Sequence, residues 1–214
     1  MTLSPLLATL AAVAALAGAD AAPRVDLVDA AAAAPGVRLD LRYATADNFL
    51  KAAVYPCARC LLRRPVAEAL GRAQAAVAAK GFGLLVWDCY RPPEVQRRMW
   101  ALVPDARYVA NPAKGSVHNR GAAVDLTLVT TEGTPLAMPT AFDDFTPAAA
   151  ADAPATPEAA SHRATLRAAM EAAGFAGIRT EWWHFDLAGS RSWPVLDAPL
   201  CAAGPGPAPE RRAP

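Results

Sequence analysis

Histidine is scarce in this chain of 214 residues, which carries three: His118, His162 and His184. Cysteine is limited to Cys57, Cys60, Cys89 and Cys201, and aromatic residues make up 7%. Neither sign of charge dominates, since 21 Lys and Arg stand against 20 Asp and Glu for a net charge of +1. No block of basic residues stands out, which argues against nucleic acid or a polybasic membrane patch as a partner. The long apolar run from Leu6 to Ala17 falls short of the roughly 20 residues needed to span a bilayer. Much of the 54% hydrophobic content is alanine, so composition overstates the size of the core. The length favours one domain with a packed interior.

What is present begins with that apolar run. Small residues follow it, and Ala19 and Ala21 fit an A-x-A cleavage pattern before Ala22. Residues 1–21 therefore read as a secretory signal, residues 22–200 as one folded domain and 201–214 as a disordered tail. No Lys or Arg precedes the run, so an uncleaved anchor is the alternative. Export to a periplasmic or secreted location brings an oxidising compartment, where an even number of cysteines can pair with a connectivity that sequence leaves open. Cys57-Ala58-Arg59-Cys60 has neither a second CxxC nor a βαβ setting, which favours a structural disulfide or buried thiols over a redox or zinc motif.

Local patterns predict the elements. Arg38 to Tyr43 alternates as a short strand. Pro65 opens a helix running to about Lys80, with Gly81 as its stop. Leu84 to Trp87 is a buried strand, and Pro92-Pro93 start a second helix carrying Val95, Met99 and Trp100. Ala122 to Thr130 forms a strand in which Ala123, Asp125 and Thr127 share a face. A third helix starts at Pro157 with Thr156 as N-cap and Gly174 beyond its end. Trp182 to Leu187 is the last strand. Separated short strands with few helices imply an α+β fold, an antiparallel sheet flanked by helices.

Two histidines have companions suited to chemistry. His118 lies seven residues before Asp125, with Gly121 permitting a sharp turn between them. His184 follows Glu181 in Glu181-Trp182-Trp183-His184. Catalytic zinc keeps three protein ligands and one open position. His118, Asp125 and His184 supply that count, for one Zn2+ per chain, and Glu181 would take a proton from water beside it. A His/His/Asp set also accepts other divalent ions. Glu181 and His184 are three apart and would face opposite ways in a regular strand. Glu181 must therefore precede the strand, or a bulge must turn it. Asp88 and Arg91 close the Leu84 strand, either as a structural ion pair or with Arg91 facing an oxyanion. His162, on a predicted amphipathic helix, reads as a surface residue.

Together these residues resemble the D-alanyl-D-alanine dipeptidases, zinc metallopeptidases related to D,D-carboxypeptidases and to the hedgehog domain. The S-x-H-x-x-G-x-A-x-D pattern is met by Ser116, His118, Gly121, Ala123 and Asp125. E-W-W-H is met by Glu181 to His184, D-x-Y-R-P by Asp88 to Pro92, and a Y-A-T-x-N-F-like segment by Tyr43 to Phe49. The likeness spans about residues 37–187. It implies hydrolysis of D-Ala-D-Ala or a similar small dipeptide, with His118, Asp125 and His184 on zinc and Glu181 as base. It further implies Arg91 at the oxyanion, Asp88 supporting it, Tyr43 and Asp143 at the substrate amine and Ser116 near its carboxylate. Where the family has Met-Gly before its Phe-Asp segment, this chain has Met138-Pro139. An exported carboxypeptidase or endopeptidase trimming peptidoglycan stem peptides, and a non-catalytic zinc-binding module, are the alternatives.

Overall fold

The computed structural model describes residues 26–201. The expected signal, residues 1–21, and all of the expected tail except Cys201 lie outside them. Among the described residues no helix is long and apolar enough to cross a membrane.

A five-stranded sheet carries the molecule. Its strands are β2 (Arg38–Leu39), β4 (Phe82–Asp88), β5 (Ala123–Thr130), β6 (Phe175–Gly177) and β7 (His184–Leu187), in the order β2-β4-β5-β7-β6. The α+β class is as expected, but the sheet is mixed. β2 runs parallel to β4, while every other neighbour is antiparallel. The strand expected over Arg38–Tyr43 stops at Leu39, because Arg42–Ala44 winds into a 3-10 turn. A separate two-stranded ribbon pairs β1 (Leu27–Asp29) with β3 (Leu61–Arg63).

Among the described residues the α-helices are α1 (Ala30–Ala33), α2 (Arg64–Ala78), α3 (Pro93–Leu102) and α4 (Pro157–Ala172). α2 has Pro in its first turn and buries Val66, Leu70, Ala73 and Val77 at helical spacing. It ends before Gly81, whose φ of +81° suits a residue without Cβ. α4 is capped by Thr156, whose Oγ1 accepts from the Ala159 N–H at 3.2 Å, a contact worth about 1 kcal/mol. α2 packs against α4 and β4.

Strand register sorts the side chains onto two faces. Val86 stands opposite Leu126 and Leu84 opposite Leu128, and all four join the core with Leu70, Leu166 and Met170. On the other face Asp125 stands opposite His184. β5 is buried from Ala123 to Val129, so a carboxylate at Asp125 must find partners inside the protein. A register shift at Trp87 places Asp88 opposite Asp125 instead of on the face of Val86. That bulge turns Asp88 out of the core and into the row that holds Asp125 and His184.

Candidate metal centre

His118, Asp125 and His184 are brought together as the sequence predicts. One ligand atom from each lies within 4.8 Å of the other two, and all three residues are buried. His118 Nε2 is 3.2 Å from His184 Nδ1 and 3.4 Å from Asp125 Oδ2, and His184 Nδ1 is 2.9 Å from Asp125 Oδ1. Asp125 and His184 meet through strand register. His118 reaches them from a 3-10 turn (His118–Arg120) that Gly121 closes at φ +64°. The left-handed backbone there favours glycine, and a Cβ would also press on the end of the Leu27 side chain at 2.9 Å.

Each imidazole is fixed from behind. His118 Nδ1 faces the Cys89 carbonyl at 2.7 Å, and donation there leaves Nε2 as a lone pair aimed inward. His184 Nε2 faces Asp186 Oδ1 at 2.7 Å, and Arg191 in turn holds Asp186 at 2.6 Å. Asp186 belongs to no motif of the sequence. Its signal was the strand period, because residues 184 and 186 share a face.

The electrostatics call for a cation. Burial opposes charge on His184, yet its bonds to Asp125 and Asp186 push its pKa up to about 10. Burial would raise Asp125, but His118 and His184 hold it far below the usual carboxylate range. The cluster thus draws a proton strongly into a buried pocket, and the same set of donors could hold a metal ion.

Glu181 precedes β7, the first of the two arrangements its spacing allowed. Its Oε2 lies 4.0 Å from His184 Nδ1, near the three donors without joining them. Burial raises its pKa, partly countered by His184. Trp182 and Trp183, next in the chain, are buried edge to face at 5.4 Å, and Trp183 lines the same cavity as Glu181. A cavity of about 210 Å³ opens in front, lined by Tyr43, Arg91, Ser116, Asp143, Glu181 and the donor residues.

Arg91 is in both of the situations weighed for it. It pairs with Asp88 at 2.6 Å inside the protein and also lines this cavity. Its NH1 donates to Gln96 Oε1 at 2.9 Å, and Tyr55 donates to Asp88 Oδ1. Arg91 Nε is buried with no partner. Tyr55 and Gln96 went unnoticed in the sequence, since no spacing rule links either to Arg91. The Asp143 backbone is left-handed at φ +58°, which aspartate tolerates. The Tyr43 hydroxyl lies 3.1 Å from both Asp143 carboxylate oxygens, so the Met138-Pro139 departure leaves Asp143 at the cavity. Burial, then Asp125, raises the Asp143 pKa well above normal. Ser116 reaches the rim, its Oγ accepting from the His118 N–H at 3.2 Å. His162 stands apart, half-buried, bonded to the Ala137 carbonyl at 2.9 Å and edge-on to Phe82.

All four cysteines form disulfides, but the two of the CxxC do not pair together. Cys57 joins Cys201, and Cys60 joins Cys89. Cys201, expected at the start of the tail, is therefore tied to the folded domain.

Comparison with known proteins agrees with this geometry. The Peptidase M15 family model, D-ala-D-ala dipeptidase, matches residues 24–201. The chain is 40% identical over 183 residues to the D-alanyl-D-alanine dipeptidase of Escherichia coli, covering 85% of this chain and 95% of that one. It is 38% identical over 177 residues to the Streptomyces coelicolor protein of that name and 37% over 174 residues to the one from Enterococcus faecalis. Each of these matches covers 71% of this chain and 86% of the relative. A match across the described domain, with identity well above the level at which fold alone is shared, places this chain in the Peptidase M15 family of D-Ala-D-Ala dipeptidases.

Proposed function

We propose that the protein is an exported zinc dipeptidase that hydrolyses D-alanyl-D-alanine or a similar small dipeptide to free amino acids. The observation that carries this is the convergence of His118, Asp125 and His184 beside an uncommitted Glu181. At metal–ligand distances of about 2.0–2.1 Å, the edges of a tetrahedron measure roughly 3.3–3.4 Å. The two nitrogens stand 3.2 Å apart, with one Asp125 oxygen 2.9 Å from His184 Nδ1 and the other 3.4 Å from His118 Nε2, so the carboxylate bridges both imidazoles at a spacing that suits the ion.

Zinc held by these three residues would polarise the scissile carbonyl and lower the pKa of water toward about 7. Glu181 takes the water proton at its carboxylate and returns it to the leaving amine, and its raised pKa suits that exchange. Arg91, held by Asp88 and Gln96, lines the cavity where an oxyanion would develop. Tyr43 and Asp143 receive the substrate amine, Ser116 lies toward its carboxylate, and Trp183 limits water at the rear.

Export rests on the N-terminal pattern and on two disulfides, which persist in oxidising compartments. The Cys57–Cys201 disulfide carries the domain one residue beyond the C-terminal boundary read from sequence. Zinc content measured together with D-alanine release from D-Ala-D-Ala and from a stem pentapeptide tests the proposal. One zinc per chain with release from the dipeptide is expected. Cleavage of the pentapeptide alone would move the assignment to a carboxypeptidase, and zinc without any hydrolysis would leave a binding module.

A further inference from the structure

Cys60 and Cys89 are buried beside the metal centre, at 0% and 1% exposure. Cys89 sits just past the last paired residue of β4, between Asp88 and Arg91. Its carbonyl fixes His118 Nδ1 at 2.7 Å, and its N–H donates to Asp88 Oδ1 at 2.9 Å. The neighbouring backbone is equally committed, with the Tyr90 N–H on the Leu61 carbonyl at 3.0 Å and the Arg91 N–H on the His118 carbonyl at 3.2 Å. Cys60 anchors the other end just before β3, where its carbonyl accepts from the Ala30 N–H at 2.8 Å. One covalent bond therefore holds the peptide group that decides which nitrogen of His118 faces the metal.

We propose that the Cys60–Cys89 disulfide is a positioning pair for the metal centre, holding the Cys89 carbonyl against His118 so that Nε2 stays a ready ligand. This rests on the reading that His118, Asp125 and His184 hold zinc. The second disulfide is an internal control. Cys57–Cys201 spans 144 residues against 29 for Cys60–Cys89, and its cysteines pack on the separate cluster of Tyr90, Val95 and Leu200. Chain entropy makes the longer loop the more stabilising. Metal positioning makes the shorter one the more important for affinity. The two effects run in opposite directions.

Zinc affinity by chelator competition, and the melting temperature of the zinc-free protein, are compared for Cys60→Ala/Cys89→Ala and Cys57→Ala/Cys201→Ala. Zinc binding is expected to weaken about ten- to hundredfold in the first variant, the range for loss of support behind a metal ligand. It should stay near the native value in the second, which should show the larger fall in melting temperature. Equal affinity in both variants overturns the proposal. Absence of zinc binding by the native chain overturns the reading of the centre instead.

The native protein supplies a second test if the first variant does not fold. It is titrated with dithiothreitol, which delivers two electrons and two protons to each disulfide, with thiol trapping and mass spectrometry to show which one opens. Linkage requires zinc to protect the disulfide that favours its binding. Zinc should lower the midpoint of Cys60–Cys89 by about 30 mV for every tenfold of affinity, and leave Cys57–Cys201 unmoved. No shift, or a shift upward from zinc held by freed thiols, overturns the proposal.

Discussion

Asp88, Asp125 and His184 lie in a row across three neighbouring strands, whereas Tyr43, Ser116, Asp143 and Glu181 come from turns and loops facing them. The first wall is set by backbone hydrogen bonds and a bulge, so its donors are placed before anything binds. The second depends on side-chain contacts such as Tyr43 to Asp143 and on a left-handed aspartate. Precision is concentrated where an ion must be gripped. Adaptability is left where a substrate must enter and leave.

The difference can be probed from either wall. Glu181→Gln keeps the size and shape of the side chain but removes the base. Its kcat should fall by about 10²–10⁴-fold with zinc content unchanged, measured by D-alanine release and metal analysis. Full activity would take Glu181 out of the reaction.

Acid should weaken the strand wall next. The pKa of His184 is raised to about 10, above the ordinary value of 6.5, so the imidazole holds a proton through neutral pH until a metal displaces it. Each ion bound should release about one proton, and affinity should drop about tenfold for each unit the pH falls between 9 and 7. Calorimetry in buffers of different ionisation heat counts that proton; a count near zero would contradict the charge state assigned to His184.

Asp186→Asn leaves every proposed ligand in place while weakening the support behind His184. Zinc affinity should fall about 10- to 100-fold, as read by chelator competition. An unchanged affinity would mean that strand register alone orients the ring. On the loop wall, Asp143→Asn should raise KM for the dipeptide about tenfold, equivalent to about 1.4 kcal/mol of binding, with a smaller change in kcat. Equal losses in kcat and kcat/KM would move Asp143 from amine recognition to the transition state.

Much of the strand wall was legible in the sequence because period and composition reinforce one another there. Alternation in Ala122–Thr130 puts Asp125 on the face opposite Leu126, and the spacing of Glu181 and His184 requires Glu181 either to stand before the strand or to be turned by a bulge. The rest depends on contacts between distant segments. The parallel pairing of β2 with β4 leaves no local trace, and neither does the bulge that turns Asp88. Tyr55 and Gln96 converge on the Asp88–Arg91 pair from loop and helix. The CxxC spacing even points the wrong way, since its two thiols reach different partners across 144 and 29 residues. Asp186 is the instructive case, because its signal was present in the strand period.

Anomalous diffraction at the zinc edge from crystals grown with zinc is the most direct trial of the whole account. A single strong peak about 2.0–2.2 Å from His118 Nε2, His184 Nδ1 and an Asp125 oxygen is predicted, with Glu181 outside the ligand set. A peak that leaves out any of those three residues, or none at this cluster, would contradict it.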